Sequence, residues 1–229
     1  MAVSETPQLH YALHDPDVRL MLQVRDGDAA AFEELVLRYQ SRLLTVLEHL
    51  VGNRELAEDL AQETFLRVFR ARKRYEPGAK FSTWLFTIAN NVASNARRAK
   101  SRRKEVGAPQ GNGDDSGPIG IDQIAKAASG LMPTRLLDKS ESAQMVRLAV
   151  ESLGSRQRMA LLLSKFEGMS YQDIAETMGL SVQAIKSLLM RARVNLKEIL
   201  TPYVDAGERP AAAAAGNGDS QSMSNVDDE

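Results

Sequence analysis

Through most of the first hundred residues apolar positions recur every three or four places with polar ones between them, which is the period of amphipathic helices. Asp28 is placed to cap a helix whose inner face holds Phe32, Leu35, Val36 and Tyr39 and which runs toward Leu50, with Gly52-Asn53 as its stop. A second helix is predicted over about 54–72, with Ala57, Leu60, Ala61, Phe65 and Val68 turned inward and Asp59, Gln62, Glu63 and Arg67 nearer the other face. Pro77-Gly78 marks a turn, and 81–98 reads as a third helix carrying Trp84, Leu85, Ile88, Ala89 and Val92. The pattern lapses over 105–120, where Gly, Pro, Asn, Asp and Ser dominate and little apolar surface is available to offset the entropy of ordering. The stretch from Ile121 to Leu137 has scattered apolar residues and two breakers, and is expected to be partly ordered at best.

Helical periodicity resumes near Lys139, with segments over 140–153, 155–166, 170–178 and 181–200, and ends in an alanine run followed by Gly, Asn, Ser and Asp. The expected architecture is all-α: two helical domains joined by a flexible linker, the C-terminal one containing a helix-turn-helix. The expected boundaries are a flexible leader 1–14, domains at 15–104 and 139–203, a linker 105–138 and a disordered tail 204–229. Such a linker spans roughly 30 Å as a coil and ~100 Å when stretched, enough to serve two docking sites a few DNA turns apart.

Composition narrows the chemistry. A chain of 229 residues with 43% hydrophobic content buries one large core or two modest ones. The absence of cysteine excludes disulfides, thiolate zinc sites and a cysteine nucleophile. His10 and His14 fall in the leader and His49 on an apolar helical pattern, so the first two are expected to be solvated and the third structural. No apolar stretch approaches a membrane span and no secretory signal layout opens the chain, so a cytoplasmic location is expected. No metal motif and no phosphate-binding glycine loop is present, and Glu58 and Asp59, adjacent on a helix, point about 100° apart rather than forming an acid/base couple. An enzyme is therefore disfavoured, with no cofactor, metal or catalytic residue expected.

The net charge of -1 conceals a sharp sorting of charges. Arg97, Arg98, Lys100, Arg102, Arg103 and Lys104 form one basic block, Arg70, Arg72, Lys73 and Arg74 a second, and Arg191, Arg193 and Lys197 a third. The last block ends the strongest local signal, a short helix from Tyr171 to Met178, a turn at Gly179, a capping Ser181 and an amphipathic helix from Val182 onward. Val182, Ile185, Leu189, Ala192 and Leu196 step by three and four and face the core, which turns Gln183, Lys186, Ser187 and Met190 outward. Gln and Lys in the first turns of such a helix address base edges in a major groove, while Arg191 and Arg193 suit phosphates. A helical hairpin with a merely solvated polar face is the plainer alternative, but the cap, the glycine turn and the basic end together favour DNA.

The run from Ala57 to Phe69, then Phe81-Ser82-Thr83-Trp84-Leu85 and Ile88-Ala89-Asn90-Asn91, then the helix-turn-helix ending in Ile185-Lys186-Ser187 and Arg191-Ala192-Arg193, resembles the extracytoplasmic-function sigma factors of RNA polymerase. The resemblance implies that Asp59, Gln62 and Glu63 dock on the clamp helices of the polymerase's largest subunit, and that the chain also contacts the polymerase flap. It also implies that the loop at about 73–80 captures a base extruded from the non-template strand of the minus-ten element, for which Lys73, Arg74, Tyr75 and Lys80 offer charge and aromatic surface. Trp84 is either a wedge against melted duplex or the tryptophan of the domain core. Asn90, Asn91, Asn95, Arg97 and Arg98 lie on the helix that in this family faces the upstream part of that element, and the basic block through Lys104 suits phosphates better than it suits a solvated linker root. Ser181, Gln183, Lys186, Ser187, Arg191 and Arg193 would read the duplex minus-thirty-five element. Many family members carry arginine and histidine where this chain has Leu188 and Met190. With no sensory domain recognisable, control is expected from an anti-sigma partner. A homodimeric operator-binding regulator would share the helix-turn-helix, but would leave the acidic helix and the Trp-bearing basic helix without a role.

Overall fold

The computed structural model describes residues 7–105 and 139–207, all of whose regular structure is helical. In chain order the helices are α1 (Pro7–His14), α2 (Pro16–Asp26), α3 (Ala29–Val51), α4 (Arg54–Ala71), a 3-10 turn at Arg72–Arg74 and α5 (Phe81–Glu105). The second group comprises α6 (Lys139–Ser152), α7 (Ser155–Lys165), α8 (Tyr171–Met178) and α9 (Val182–Gly207).

Local chemistry sets most of these ends. The Asp28 carboxylate accepts from the amides of Ala30 (2.9 Å) and Ala31 (3.2 Å), which opens α3, and Gly52, in the left-handed region at φ 67°, closes it. Asn53 then caps α4 by accepting from the Leu56 amide at 2.7 Å. Asp15 does double duty: one carboxylate oxygen caps α2 through Asp17 (2.9 Å) and the other accepts from the first amide of α5, that of Phe81, at 3.1 Å. The start of α5 is thereby pinned beside the start of α2.

Three expected boundaries change. The leader is not uniformly irregular, because Pro7 can open a helix and Tyr11 packs against the core, so Pro7–His14 forms α1, with the His10 and His14 ring centroids 4.7 Å apart and their planes tilted by 48°. Helix α5 continues to Glu105, beyond the predicted 98, since no glycine or proline interrupts it, and α9 continues to Gly207, beyond the predicted 200 and through Pro202. The expected linker, apart from Glu105, and the tail beyond Gly207 lie outside the described residues.

Two apolar clusters hold the molecule. One joins α2, the first half of α3, α4 and the start of α5 through Val18, Met21, Leu35, Val68, Phe81 and Leu85. The other takes Leu43, Leu47 and Leu50 of α3 and Phe86, Ala89 and Ala93 of α5 into the same buried cluster as Leu153, Met159, Leu162, Ile174 and Ile185 of the second group. The two helical units are therefore docked on one another. Helix α5 packs on α3 and α4 along one side and on α8 along another, which explains why Phe86 and Ala93 are buried although they fall off its first apolar stripe.

Candidate nucleic-acid and protein interfaces

The outer face of α4 is polar and apolar at once. Asp59 and Gln62 are exposed, and Glu63 accepts from the Arg67 guanidinium at 2.7 Å, a hydrogen bond that holds its carboxyl below the usual range. Leu66 and Phe69 stand exposed on the same helix, at 49% and 39%, and the Phe69 ring lies 5.1 Å from that of Phe32 with the Arg72 guanidinium over it at 3.8 Å. Exposed apolar surface beside acid is what a protein-binding face requires. These two residues were missed from sequence, although both fall outside the inward stripe, which was the available signal.

The loop after α4 departs from expectation at its aromatic residue. Tyr75 is buried at 4% exposure, with its ring 4.8 Å from that of Trp84, so it belongs to the core and presents no stacking surface here. Burial drives its phenol pKa far above the usual value. Trp84 is half-buried between Tyr75 and Phe81, with ring centroids 4.8 and 6.0 Å away. Lys73 is exposed and its ammonium donates to the Arg25 carbonyl at 2.9 Å, Arg74 is exposed, and Lys80 forms an ion pair with Asp173 of α8 at 2.9 Å.

Along α5, Asn91, Asn95 and Arg98 are exposed, and Arg98 donates to the Asn95 side-chain oxygen at 3.2 Å. Asn90 and Arg97 are half-buried and line a groove of about 550 Å³ whose other wall is Arg156, Met159, Met178 and Leu180 of the second unit.

The second unit presents its face openly. Ser170 and Asp173 form a reciprocal capping box at the start of α8, Gly179 at φ 63° ends that helix, and the Ser181 hydroxyl accepts from the Ala184 amide at 3.2 Å to begin α9. The inward residues of α9 are Ile185, Leu189 and Ala192, fully or nearly buried, with Val182 and Leu196 partly so. This register leaves Ser181, Gln183, Lys186, Arg191 and Arg193 exposed and Ser187 half-buried, its hydroxyl donating to the Gln183 carbonyl at 3.1 Å. Gln183, Ser187, Leu188 and Arg191 line a shallow recess of about 470 Å³ together with Arg156 and Gln157. Met190 is 67% exposed beside it. Backbone geometry of this kind, a capped helix, a glycine turn and a polar face on the second helix, fits a major groove.

Among the described residues no group of His, Asp or Glu is arranged to hold a metal ion, and no helix is long and apolar enough to cross a membrane.

Comparison with known proteins places both units. The family model described as Sigma-70 region 2 matches residues 35–103, and that described as Sigma-70, region 4 matches residues 143–196. The RNA polymerase sigma-H factor of Pseudomonas aeruginosa is 33% identical over 193 residues, an overlap covering 83% of this chain and 96% of the relative. The ECF RNA polymerase sigma-E factor of Escherichia coli is 31% identical over 191 residues, covering 82% and 96%. Among solved structures, the sigma factor RpoE in complex with the anti-sigma factor NepR, from Bartonella quintana, superimposes with a TM-score of 0.57 at 26% identity, covering 74% of this chain and 96% of that one. CnrH, solved with the cytosolic domain of CnrY, shares the fold with a TM-score of 0.57 at 24% identity, covering 82% and 99%.

Proposed function

This chain belongs to the sigma-70 family, in its extracytoplasmic-function branch, and from that premise we propose how its two helical units divide the work of promoter recognition. The chain is a sigma factor that directs RNA polymerase to promoters. The N-terminal unit holds polymerase through the outer face of α4, where Asp59, Gln62 and Glu63 meet basic residues of the clamp helices and Leu66 and Phe69 add apolar contact. Its loop and α5 then take the minus-ten element: Lys73, Arg74 and Lys80 supply charge to the melted non-template strand, Trp84 supplies the aromatic surface that Tyr75 does not, and Asn91, Asn95, Arg97 and Arg98 follow the upstream part. Extruding a base costs a few kcal/mol, which these contacts must offset.

The C-terminal unit reads the duplex minus-thirty-five element through Gln183 and Lys186, with Ser181, Ser187, Arg191 and Arg193 on phosphates. Phosphate contacts make affinity fall with salt, while the few base contacts carry specificity. The chain contributes binding and melting, and bond making stays with the polymerase, so we assign it no catalytic residue and place it in the cytoplasm beside polymerase and promoter. A partner of the anti-sigma type is proposed for it too, since the B. quintana relative was solved with one.

The observation that carries this division is the pairing of an exposed acidic and apolar face on α4 with an exposed polar and basic face on α9. Its test is Asp59→Ala together with Glu63→Ala. Both side chains are solvent-facing, so the fold should survive, and loss of two interface charges should weaken binding to purified core polymerase by about 1–2 kcal/mol, near tenfold. Undiminished capture of polymerase would remove the assignment of that face.

A further inference from the structure

One side chain on the second helix of the helix-turn-helix has no part in the division of labour just described. Met190 is 67% exposed, more than any other large apolar side chain among the described residues. The register of α9 fixes its direction. Gln183 and Met190 are seven residues apart, which at about 100° per residue brings them within ~20° of one another, and Lys186 stands one turn before Met190 on the same side. The buried stripe of Ile185, Leu189 and Ala192 faces the other way. Leu188, by contrast, is partly buried and packs against the core. Met190 is therefore the apolar group that this face presents.

The surroundings of Met190 decide what can cover it. From Val182 to Lys197 the helix carries Lys186, Arg191, Arg193 and Lys197 and no acidic residue, a charge that draws a polyanion. Its exposed neighbours Gln183 and Lys186 are the two side chains assigned to base edges, so Met190 meets the same groove. Among the groups that base pairs present there, only the 5-methyl of thymine is apolar. The rest are hydrogen-bond donors and acceptors that a thioether cannot satisfy, and covering one of them unpaired is unfavourable. Seven residues of helix rise about 10 Å, or roughly three base pairs at ~3.4 Å per pair. Gln183 and Met190 thus address positions about three pairs apart on one element.

We propose that Met190 is a specificity-determining residue, which selects thymine at one position of the minus-thirty-five element by packing its thioether on the 5-methyl group. This role rests on the assignment of α9 to that element. The methyl carries the selection, so 5-methylcytosine, which places the same group at the same edge of the groove, is bound there in preference to plain cytosine. Lys186 chooses by hydrogen bonds and Met190 by apolar contact, and the two preferences are separable.

The test uses holoenzyme assembled from purified core polymerase and the full chain, native or carrying Met190→Ala or Lys186→Ala. A promoter fragment that the native holoenzyme transcribes is randomised over its minus-thirty-five element, captured and sequenced. The native chain should enrich thymine at one position that Met190→Ala alone releases, while Lys186→Ala releases a different one. Uracil in place of that thymine removes only the methyl. It should weaken native capture about fourfold, the scale of one buried methyl-sized group, and leave capture by Met190→Ala unchanged. With 5-methylcytosine there, the native chain should capture the duplex more strongly than with cytosine, and Met190→Ala should capture both equally. Equal capture of the thymine and uracil duplexes by the native chain overturns the proposal, as does a Met190→Ala loss of the same size on both. Capture of all randomised elements alike would mean that the assignment of α9 has failed, and the selection by Met190 with it.

Discussion

Helices α5 and α9 carry the two proposed DNA faces, and they are buried in different ways. Helix α9 buries one stripe, Ile185, Leu189 and Ala192, and leaves the rest to solvent. Helix α5 buries two: Leu85, Ala89 and Val92 lie along its first stripe, while Phe86 and Ala93 extend burial toward α8. A helix with one buried stripe can meet a ligand as it stands. One with two offers only what lies outside both, and a residue under the second stripe has to be uncovered first, at a cost subtracted from its affinity. The upstream reader is thus presented on one open face, whereas α5 keeps Asn91, Asn95 and Arg98 open and holds Asn90 and Arg97 half-buried against the second unit.

The deepest test of this difference is Phe86→Ala. The side chain is fully buried within the cluster shared by the two units, so its loss should cost about 3–5 kcal/mol. If the second stripe of α5 serves the dock, calorimetry of the variant should resolve two unfolding transitions in place of a single cooperative one. One transition merely shifted downward would mean that Phe86 supports the N-terminal unit alone.

On the open side, Lys186→Ala should cost about 1–3 kcal/mol against promoters with an intact minus-thirty-five element and relax discrimination at one base position. Arg191→Ala should weaken binding about equally across sequences and reduce the salt slope by roughly one. Titrations of duplex fragments at several salt concentrations separate these outcomes, and equal behaviour of the two variants would erase the distinction between base and phosphate contacts on α9.

The smallest effect concerns His49, at the junction of α3 with the second unit, where its ring lies 5.8 Å from that of Phe166. Burial lowers its pKa, as do Arg147 and Arg158, against the opposing pull of Glu151 and Glu48. The unfolded imidazole, near its ordinary value of about 6.5, therefore takes up a proton that the folded site resists. Its contribution to stability is full above that value and declines as pH falls below it. The melting temperature should drop more steeply between pH 7 and 5.5 for the native chain than for His49→Gln, and parallel curves would show that the site is indifferent to charge.

Much of this was legible in the residues themselves, for a physical reason. Helix caps and single buried stripes are local, so Asp28, Gly52, Gly179 and the stripe through Ile185 and Leu189 could be placed from spacing alone, and the outward set Gln183, Lys186 and Arg191 followed. Nonlocal features could not. Phe86 lies off the stripe that spacing picks out, and the cluster that buries it includes residues of the second unit, while Lys80 was read as available to DNA although its partner Asp173 is 93 positions away. Tyr75 was misplaced for a related reason: an aromatic residue in a polar loop resembles a stacking platform until the rings of Trp84 and the α2 side of the core are seen to enclose it. Helix α1 escaped notice because eight residues are too few for periodicity to declare itself.

The most direct measurement is transcription in vitro from a pool of genomic promoter fragments, with purified core RNA polymerase in the presence and absence of this protein. Promoter-specific transcripts that appear only when the protein is added are the expected result. Tight binding to duplex DNA without polymerase, accompanied by no transcripts, would contradict it.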